Sequence, residues 1–185
     1  RLLRGNRATK INADGFYAFD TFNYPHLCDA GVNFTFNDHC ILKPDFSKPM
    51  IPHLAMNADV VVFSLFPGIQ ENITKHIFDA PELEGVIIRS YGSGNAPHQQ
   101  WLMNLLSKAS ERGVTIVNIS QCISGKVEMY RYETGHQLQS AGVISGFDST
   151  VEAAATKLMH LKAMNLPNEE LIRLMQIPLA GEITI

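Results

Sequence analysis

The sequence has no long hydrophobic run and little net charge. No window approaches the roughly 18 consecutive apolar residues that span a bilayer, so we expect no membrane partner. The formal net charge is -3 over 185 residues, with acidic and basic side chains spread fairly evenly, which argues against nucleic acid as a partner. The stretch from Arg1 to Lys10 is polar and has no apolar run behind it, so nothing here predicts a signal peptide.

Cysteines are few, and their pattern argues against a disulfide framework. Cys28, Cys40 and Cys122 form no C-x-x-C pair, and an odd number leaves one thiol unpaired. We therefore expect a reducing, cytoplasmic environment. His26 and His39 lie near the first two cysteines, but the spacings H-x-C and H-C lack the two-residue separation of paired zinc ligands. We expect loop and core packing for these side chains rather than a metal site.

What the sequence does contain is the pattern of an α/β domain. Hydrophobic residues make up 45% and charged residues 18%, which is a globular composition. The predicted elements are strands at residues 59 to 66, 85 to 90 and 114 to 119, and helices at residues 71 to 78, about 95 to 112, 149 to 163 and 168 to 176. Strands without polar alternation, separated by amphipathic helices, indicate a parallel sheet covered on both faces. We predict a small three-layer α/β domain.

Two of the helices have recognisable start signals. Asn95 can cap the second helix, with Pro97 in its first turn, where a missing N-H costs little. Ser149 and Glu152 have the spacing of a capping box at the start of the third helix. Between these helices, the stretch after the third strand shows no clear periodicity, and we expect irregular structure there.

The first 45 residues do not follow the strand and helix pattern. They contain many aromatic residues and short apolar runs, but no repeating unit. We expect residues 1 to 45 to be the end of a larger amino-terminal α/β domain. Residues 43 to 49 have the proline and charge content of a linker, which places the boundary there. Residues 46 to 57 are predicted to be the linker, and residues 58 to 185 a complete smaller α/β domain.

The loops that follow the second and third strands are the first places to look for a site, because open α/β sheets bind ligands at the carboxyl ends of their strands. Arg89 precedes the glycine-rich segment 90 to 97, so its guanidinium and the loop N-H groups can bind a carboxylate. The alternative is a tight turn with Arg89 as a surface charge. Both interpretations remain open from the residues alone.

The second loop, residues 120 to 126, carries hydroxyl, amide and thiol groups. Cys122 as a nucleophile would need a positioned base, and the sequence suggests no histidine nearby, so an inert thiol is the stronger expectation. Ser145 lies in the segment GVISG, which is not the G-x-S-x-G elbow of a hydrolase triad. Lys10, taken by itself, is most simply a solvated surface lysine.

Four separated segments resemble type I, cytoplasmic L-asparaginases, and they occur in the order found in that family. They are residues 3 to 10 (LRGNRATK), 88 to 97 (IRSYGSGNAP), 117 to 127 (VNISQCISGKV) and 141 to 153 (AGVISGFDSTVEA). The family hydrolyses L-asparagine to L-aspartate and ammonia without a metal or organic cofactor. The resemblance implies that this chain is the carboxy-terminal part of such an enzyme, preceded by an upstream segment.

The resemblance also implies roles for particular residues. Lys10 matches the family's relay lysine, which takes part in proton transfer to a threonine nucleophile. The two threonines and the aspartate of that relay have no match here and belong to the upstream segment, so the chain alone is expected to be inactive. Asn95 matches a residue that approaches the substrate site of a neighbouring subunit, since family members are homodimers or homotetramers.

Some type I enzymes bind asparagine at a second, allosteric site. Its residues match Thr9, Arg89 and Cys122, with Ser120 alongside, and all the matching residue types are present in this sequence. A guanidinium suits the carboxylate of the ligand, and hydroxyl and thiol groups suit its amide end. The presence of these residues shows the capacity to bind asparagine, which is not the same as regulation.

Two other functions fit the same residues. The asparaginase-like subunit of an archaeal-type tRNA-dependent amidotransferase shares the relay lysine and the fold. A noncatalytic amino-acid-binding module would use the Arg89 and Cys122 loops without any ammonia release.

Overall fold

A computed structural model describes residues 1 to 185. The amino-terminal part of the chain contains short antiparallel strands rather than a continuous sheet. These strands are β1 (Thr9–Lys10), β2 (Phe19–Asp20), β3 (Cys28–Ala30) and β4 (Phe34–Phe36). β1 pairs with β2 and β3 with β4, and single turns of 3-10 helix lie at Gly5–Arg7 and Asp38–Cys40. The first 45 residues therefore contain no strand and helix repeat.

The remainder is organised around a four-stranded parallel sheet. Its strands are β5 (Val60–Ser64), β6 (Gly85–Ser90), β7 (Thr115–Ser120) and β8 (Ile144–Ser145), and they lie side by side in chain order. Val62 lies opposite Ile87, and Ile87 lies opposite Val117. The β-branched residues of the two central strands, β6 and β7, are buried because both faces of the sheet are covered there.

Helices cover the sheet on both sides. They are α1 (Glu71–Phe78), α2 (Gln100–Glu111), α3 (Glu133–Ser140), α4 (Val151–Ala163) and α5 (Asn168–Met175). One core joins Val86 and Ile88 to α1, α2 and α3, and a second joins Ile87 and Val117 to α4 and α5. Successive strand residues point to opposite faces, which places Ile87 in a different core from its neighbours. The predicted three-layer α/β arrangement is confirmed, and none of the helices has the length and apolar content to cross a membrane.

The stretch expected to be irregular contains α3 and β8. The α3 sequence buries only Gly135 and Leu138, which is too little apolar periodicity to be read as a helix. β8 is only two residues long and pairs with the middle of β7. Both elements depend on packing or pairing with neighbouring elements, and the local sequence gives little indication of them.

The predicted start of α2 is wrong. The Asn95 side chain caps no helix, because its Oδ1 accepts a hydrogen bond of 3.0 Å from the Thr134 hydroxyl. The Asn95 N-H donates to the Tyr91 carbonyl at 2.8 Å, and the Tyr91 N-H donates to the Asn95 carbonyl at 2.9 Å, so the two residues close a turn. The chain leaves this turn in extended form, and α2 begins only at Gln100.

The predicted capping box of α4 is also wrong, by one residue. The cap is Thr150, whose hydroxyl accepts a hydrogen bond of 3.1 Å from the Ala153 N-H. The Ser149 hydroxyl is buried without a partner. Glu152 instead accepts a hydrogen bond from Thr9, a contact distant in sequence that no local pattern reveals.

A buried ion pair joins the amino-terminal segment (residues 1 to 45) to the sheet domain (residues 58 to 185). Arg7 and Asp148 are 3% and 8% exposed, and the two guanidinium nitrogens lie 2.8 and 2.6 Å from the two carboxylate oxygens. Burial alone would raise the Asp148 pKa, but the hydrogen bonds from Arg7 and Thr184 outweigh it and hold the pKa below its usual value. The aspartate is therefore ionised and paired at neutral pH.

A second buried pair fixes the carboxy-terminal tail. The Lys157 ammonium on α4 lies 2.6 Å from a Glu182 carboxylate oxygen and also donates to the carbonyls of Met175 and Ile177. The Glu182 carboxylate accepts further bonds from the N-H groups of Leu179 and Ala180. Burial opposes its ionisation, yet these bonds keep the Glu182 pKa below its usual value.

Replacing Arg7 with leucine should reduce the free energy of unfolding by about 3 to 5 kcal/mol, because it leaves the Asp148 carboxylate buried and unpaired. Urea unfolding followed by circular dichroism measures this loss. Arg173→Leu is the matched control, because Arg173 pairs with Glu170 at the surface and its loss should change the free energy of unfolding little. Equal losses in the two variants would contradict the assignment.

The lowered Asp148 pKa makes stability depend on pH in a defined direction. An aspartate with a folded pKa below the unfolded value of about 3.9 stabilises the protein above that pH, and the contribution is lost as the pH falls through the folded pKa. Asp148→Asn should therefore lower the free energy of unfolding at neutral pH and flatten its fall as the pH drops below the unfolded pKa of about 3.9. Urea unfolding at several pH values measures both effects, and parallel pH profiles for the two proteins would be the contrary result.

Candidate functional site

A cavity of about 250 Å³ lies at the carboxyl ends of β6 and β7. Arg89 and Ser120 occupy these strand ends, where Ser90 lies opposite Ser120 in the register. The segment that contains β1 closes the other side, so the cavity lies between the amino-terminal residues and the sheet domain. The lining residues are Thr9, Lys10, Asn23, Arg89, Ser120, Gln121, Cys122, Ile123, Gly125, Phe147, Asp148, Ser149, Thr150 and Val151.

Arg89 lines this cavity as a charged group without a partner. It is half-buried, its Nε is buried without a hydrogen bond, and it forms no ion pair with any carboxylate of the chain. Asp148 also lines the cavity, but its two oxygens are held by Arg7 and Thr184. An unpaired guanidinium on a rigid strand is well placed to bind a carboxylate.

The loop after β7 is held in place by its own polar groups. The Ser120 hydroxyl donates to the Gly92 carbonyl at 2.5 Å and accepts from the Cys122 N-H at 2.9 Å. Gln121 Nε2 donates to the carbonyls of Leu65 and Arg89, at 2.5 and 2.7 Å, and so ties the ends of β5 and β6 together. Cys122 is exposed, and no histidine lines the cavity, so nothing here activates the thiol as a nucleophile.

Thr9 and Lys10 line the same cavity from β1. Thr9 is half-buried, and its hydroxyl donates to Glu152 Oε1 at 3.0 Å. Lys10 is exposed, with its ammonium 5.8 Å from the centre of the Phe19 ring and no carboxylate within 4 Å. Within this chain, Lys10 therefore has no acidic partner.

Asn95 lies apart from the other predicted site residues. It is absent from the cavity lining, and its side-chain oxygen is engaged by Thr134 of α3. The structure thus brings together Thr9, Lys10, Arg89, Ser120 and Cys122, and places Asn95 on a separate, neighbouring loop.

Some lining residues carry no signal in the sequence. Asn23 closes the cavity through its side chain, which accepts from the Gly125 N-H at 2.8 Å and donates to the Gly125 carbonyl at 3.1 Å. Phe147 has a φ of 54°, a left-handed conformation that is costly for a side chain with a Cβ. The Asn23 contact joins residues 102 positions apart, and the Phe147 feature is a single backbone angle, so neither periodicity nor spacing reveals them. No group of three or more histidine, cysteine or acidic side chains lies close enough to hold a metal ion, and the histidine and cysteine cluster near residue 28 forms none.

One family model and several known proteins match this chain over most of its length. A family model described as the glutaminase/asparaginase C-terminal domain matches residues 59 to 175. L-asparaginase 1 of Escherichia coli (strain K12) is 41% identical over 184 residues, which cover 100% of this chain and 54% of that protein. The 60 kDa lysophospholipase of Mus musculus is 36% identical over 186 residues, covering 100% of this chain and 33% of that protein.

More distant relatives and solved structures extend the comparison. A glutamyl-tRNA(Gln) amidotransferase subunit of Methanobrevibacter smithii is 28% identical, covering 98% of this chain and 41% of that protein. The crystal structure of L-asparaginase I from Vibrio cholerae superposes with a TM-score of 0.92 at 40% identity, covering 99% of this chain and 55% of the other. The chain thus spans about half the length of these asparaginases, and the resemblance to the carboxy-terminal part of type I enzymes is confirmed.

Proposed function

Because the chain belongs to the glutaminase/asparaginase C-terminal domain family, we propose that it forms the carboxy-terminal part of an L-asparaginase. The reaction is hydrolysis of L-asparagine to L-aspartate and ammonia, with a threonine nucleophile supplied by an upstream segment. The observation that carries the proposal is the 41% identity to L-asparaginase 1 of Escherichia coli across the whole chain. The proposed enzyme works in the cytoplasm and requires no metal or organic cofactor.

Lys10 is the residue of this chain proposed to take part in catalysis. Its exposure and lack of a carboxylate partner support a role that is completed by other residues, because a relay lysine must contact an acidic group and a hydroxyl. In the proposed enzyme both groups belong to the upstream segment. The chain alone is therefore expected to be inactive.

The surface of residues 1 to 45 supports the proposal that an upstream segment covers it. Several large aromatic side chains there are exposed to solvent, an arrangement that isolated soluble domains avoid. They are Phe16, Tyr17, Phe19, Phe34 and Phe36. In this proposal, residues 1 to 45 complete a larger domain whose remaining residues bury these rings, residues 46 to 57 are the linker, and residues 58 to 185 are the smaller domain.

The cavity is proposed to be a second, allosteric asparagine site. Arg89 supplies the group for the ligand carboxylate, and Thr9, Ser120 and Cys122 supply hydroxyl and thiol groups around its amide end. Asn95 lies outside this cavity, which is compatible with its proposed approach to the substrate site of a neighbouring subunit in a homodimer or homotetramer.

A second candidate function is the asparaginase-like subunit of a tRNA-dependent amidotransferase. The match to the amidotransferase subunit from Methanobrevibacter smithii favours it, since that match also extends over nearly the whole chain. A noncatalytic amino-acid-binding module is the third candidate, and it would use the same cavity. Hydrolysis of free asparagine separates the leading proposal from both.

Replacing Lys10 with methionine, in the protein that carries the upstream segment, should abolish at least about 99% of ammonia release from L-asparagine, because the proton relay is broken. Lys108→Met is the control, since Lys108 lies exposed on α2 and should leave the rate unchanged. Ammonia is measured by a coupled assay. If the unaltered protein releases no ammonia from asparagine or glutamine, the enzyme proposal fails.

Replacing Thr9 with alanine should make a sigmoidal dependence of rate on asparagine concentration hyperbolic, because a contact to the second ligand is lost. The maximal rate should stay within about twofold, since Thr9 is not a relay residue. Initial-rate measurements test this, with Thr35→Ala on β4 as the control. A rate curve that keeps its shape in Thr9→Ala would remove the support for a regulatory site.

A further inference from the structure

The hydroxyl of Thr9 has its hydrogen directed at a single partner. Thr9 Oγ1 lies 3.0 Å from Oε1 of Glu152, which belongs to the first turn of α4. An ionised carboxylate can only accept hydrogen bonds, so Thr9 must be the donor in this contact. The lone pairs of the Thr9 oxygen remain available, and Thr9 lines the cavity. Toward the cavity, Thr9 therefore presents a hydrogen-bond acceptor.

Glu152 is exposed, and its surroundings favour this direction of the hydrogen bond. Glu152 forms no ion pair with a lysine or arginine of the chain, so no cation competes for its oxygens. Its position in the first turn of α4 is favourable for a negative charge, because the helix dipole is positive at that end.

We infer that Glu152 makes the cavity select a carboxamide over a carboxylate, by holding Thr9 as a hydrogen-bond acceptor. The inference rests on the proposed second asparagine site and deepens it. The proposal puts the α-carboxylate of the ligand on Arg89 and its carboxamide end at Thr9, which lines the same cavity. An amide NH₂ donates to the Thr9 oxygen, whereas a carboxylate brings an oxygen against its lone pairs.

This selection separates the substrate of the proposed reaction from its product. L-asparagine and L-aspartate share the group that Arg89 binds and differ only at the end that Thr9 meets. Glu152 does not touch the ligand and acts through Thr9, so it is a positioning residue. The cavity then responds to the substrate and is insensitive to accumulated product, because a mismatched group at a hydrogen-bonding position weakens binding strongly.

Cys122 offers a local probe of occupancy, since its exposed thiol lines the cavity while Cys28 is buried. The protein with its upstream segment and the Lys10→Met substitution is treated with iodoacetamide, and the alkylation rate of Cys122 is followed by mass spectrometry. L-asparagine should protect Cys122 at concentrations at least about tenfold lower than L-aspartate. The Lys10→Met background keeps asparagine from being consumed.

Further substitutions then isolate Glu152. In Glu152→Gln the side-chain amide can donate to Thr9, so the ratio of protective concentrations should fall toward one, and Thr9→Val should lower it similarly. Adding Glu152→Gln to Thr9→Val should change nothing further, because Glu152 acts only through the hydroxyl. Thr9→Ser, which keeps the hydroxyl, should preserve the ratio. Glu169→Gln, an exposed acid in the first turn of α5, should preserve it as well.

The experiment distinguishes a wrong role for Glu152 from the absence of the second asparagine site. If asparagine protects Cys122 but Glu152→Gln retains the full preference over aspartate, the role of Glu152 is wrong while the second site stands. If neither ligand protects Cys122 in any variant, the second asparagine site itself is overturned.

Discussion

The buried pair of Arg7 and Asp148 is the interaction on which the rest of the site depends. Two charges removed from water are costly, and direct attraction alone seldom compensates for that cost. Here the guanidinium also donates to the carbonyls of Glu182 and Asn23 and to the hydroxyl of Thr184. These partners come from separate parts of the chain. The pair therefore fixes the amino-terminal segment, the turn before α4 and the carboxy-terminal tail in one arrangement.

The position of β1 follows from this arrangement. Arg7 lies two residues before Thr9, so anchoring Arg7 at the sheet domain places Thr9 beside the start of α4, within reach of Glu152. Asn23 lies beyond β2 and contributes both a carbonyl to Arg7 and a side chain to the Gly125 loop. The cavity exists because these contacts hold one wall against strand ends that are already rigid. The strand ends form the rigid wall of the cavity, and the anchored amino-terminal segment forms the opposite wall.

The sequence predicts the sheet domain well because its information is local. The strand Gly85–Ser90 and the helix Glu71–Phe78 match the predicted ranges, since a continuous apolar run indicates the strand and amphipathic spacing indicates the helix. It predicts the helix starts poorly. Asn95 and Ser149 have the sequence pattern of caps, but Asn95 bonds to Thr134 and the Ser149 hydroxyl is buried without a partner. Asn95 bonds to a residue of α3, a helix that is itself weakly encoded. Local capping rules describe what a residue can do, and the fold decides which partner it meets.

The site residues divide along the same line. Arg89, Ser120 and Cys122 follow from the rule that ligands bind at the carboxyl ends of parallel strands. Thr9 and Lys10 carry no such signal, and only a resemblance to a family draws attention to them. Asn23, Phe147 and the Thr9 contact of Glu152 require the folded chain, because each joins segments more than a hundred residues apart or depends on a strained backbone angle.

The adjacency of Thr9 and Lys10 gives the two proposed sites a physical connection. Successive residues of a strand point in opposite directions, so Thr9 faces α4 while the Lys10 ammonium lies over Phe19 on the exposed side. A ligand that contacts Thr9 and a relay that uses Lys10 then share one short strand, with no intervening network. Coupling between them requires that the ligand bind two positions of β1 with different affinity. Because β1 is two residues long and Arg7 holds one end of it, we expect a displacement of Thr9 to move Lys10 through the single peptide unit that joins them.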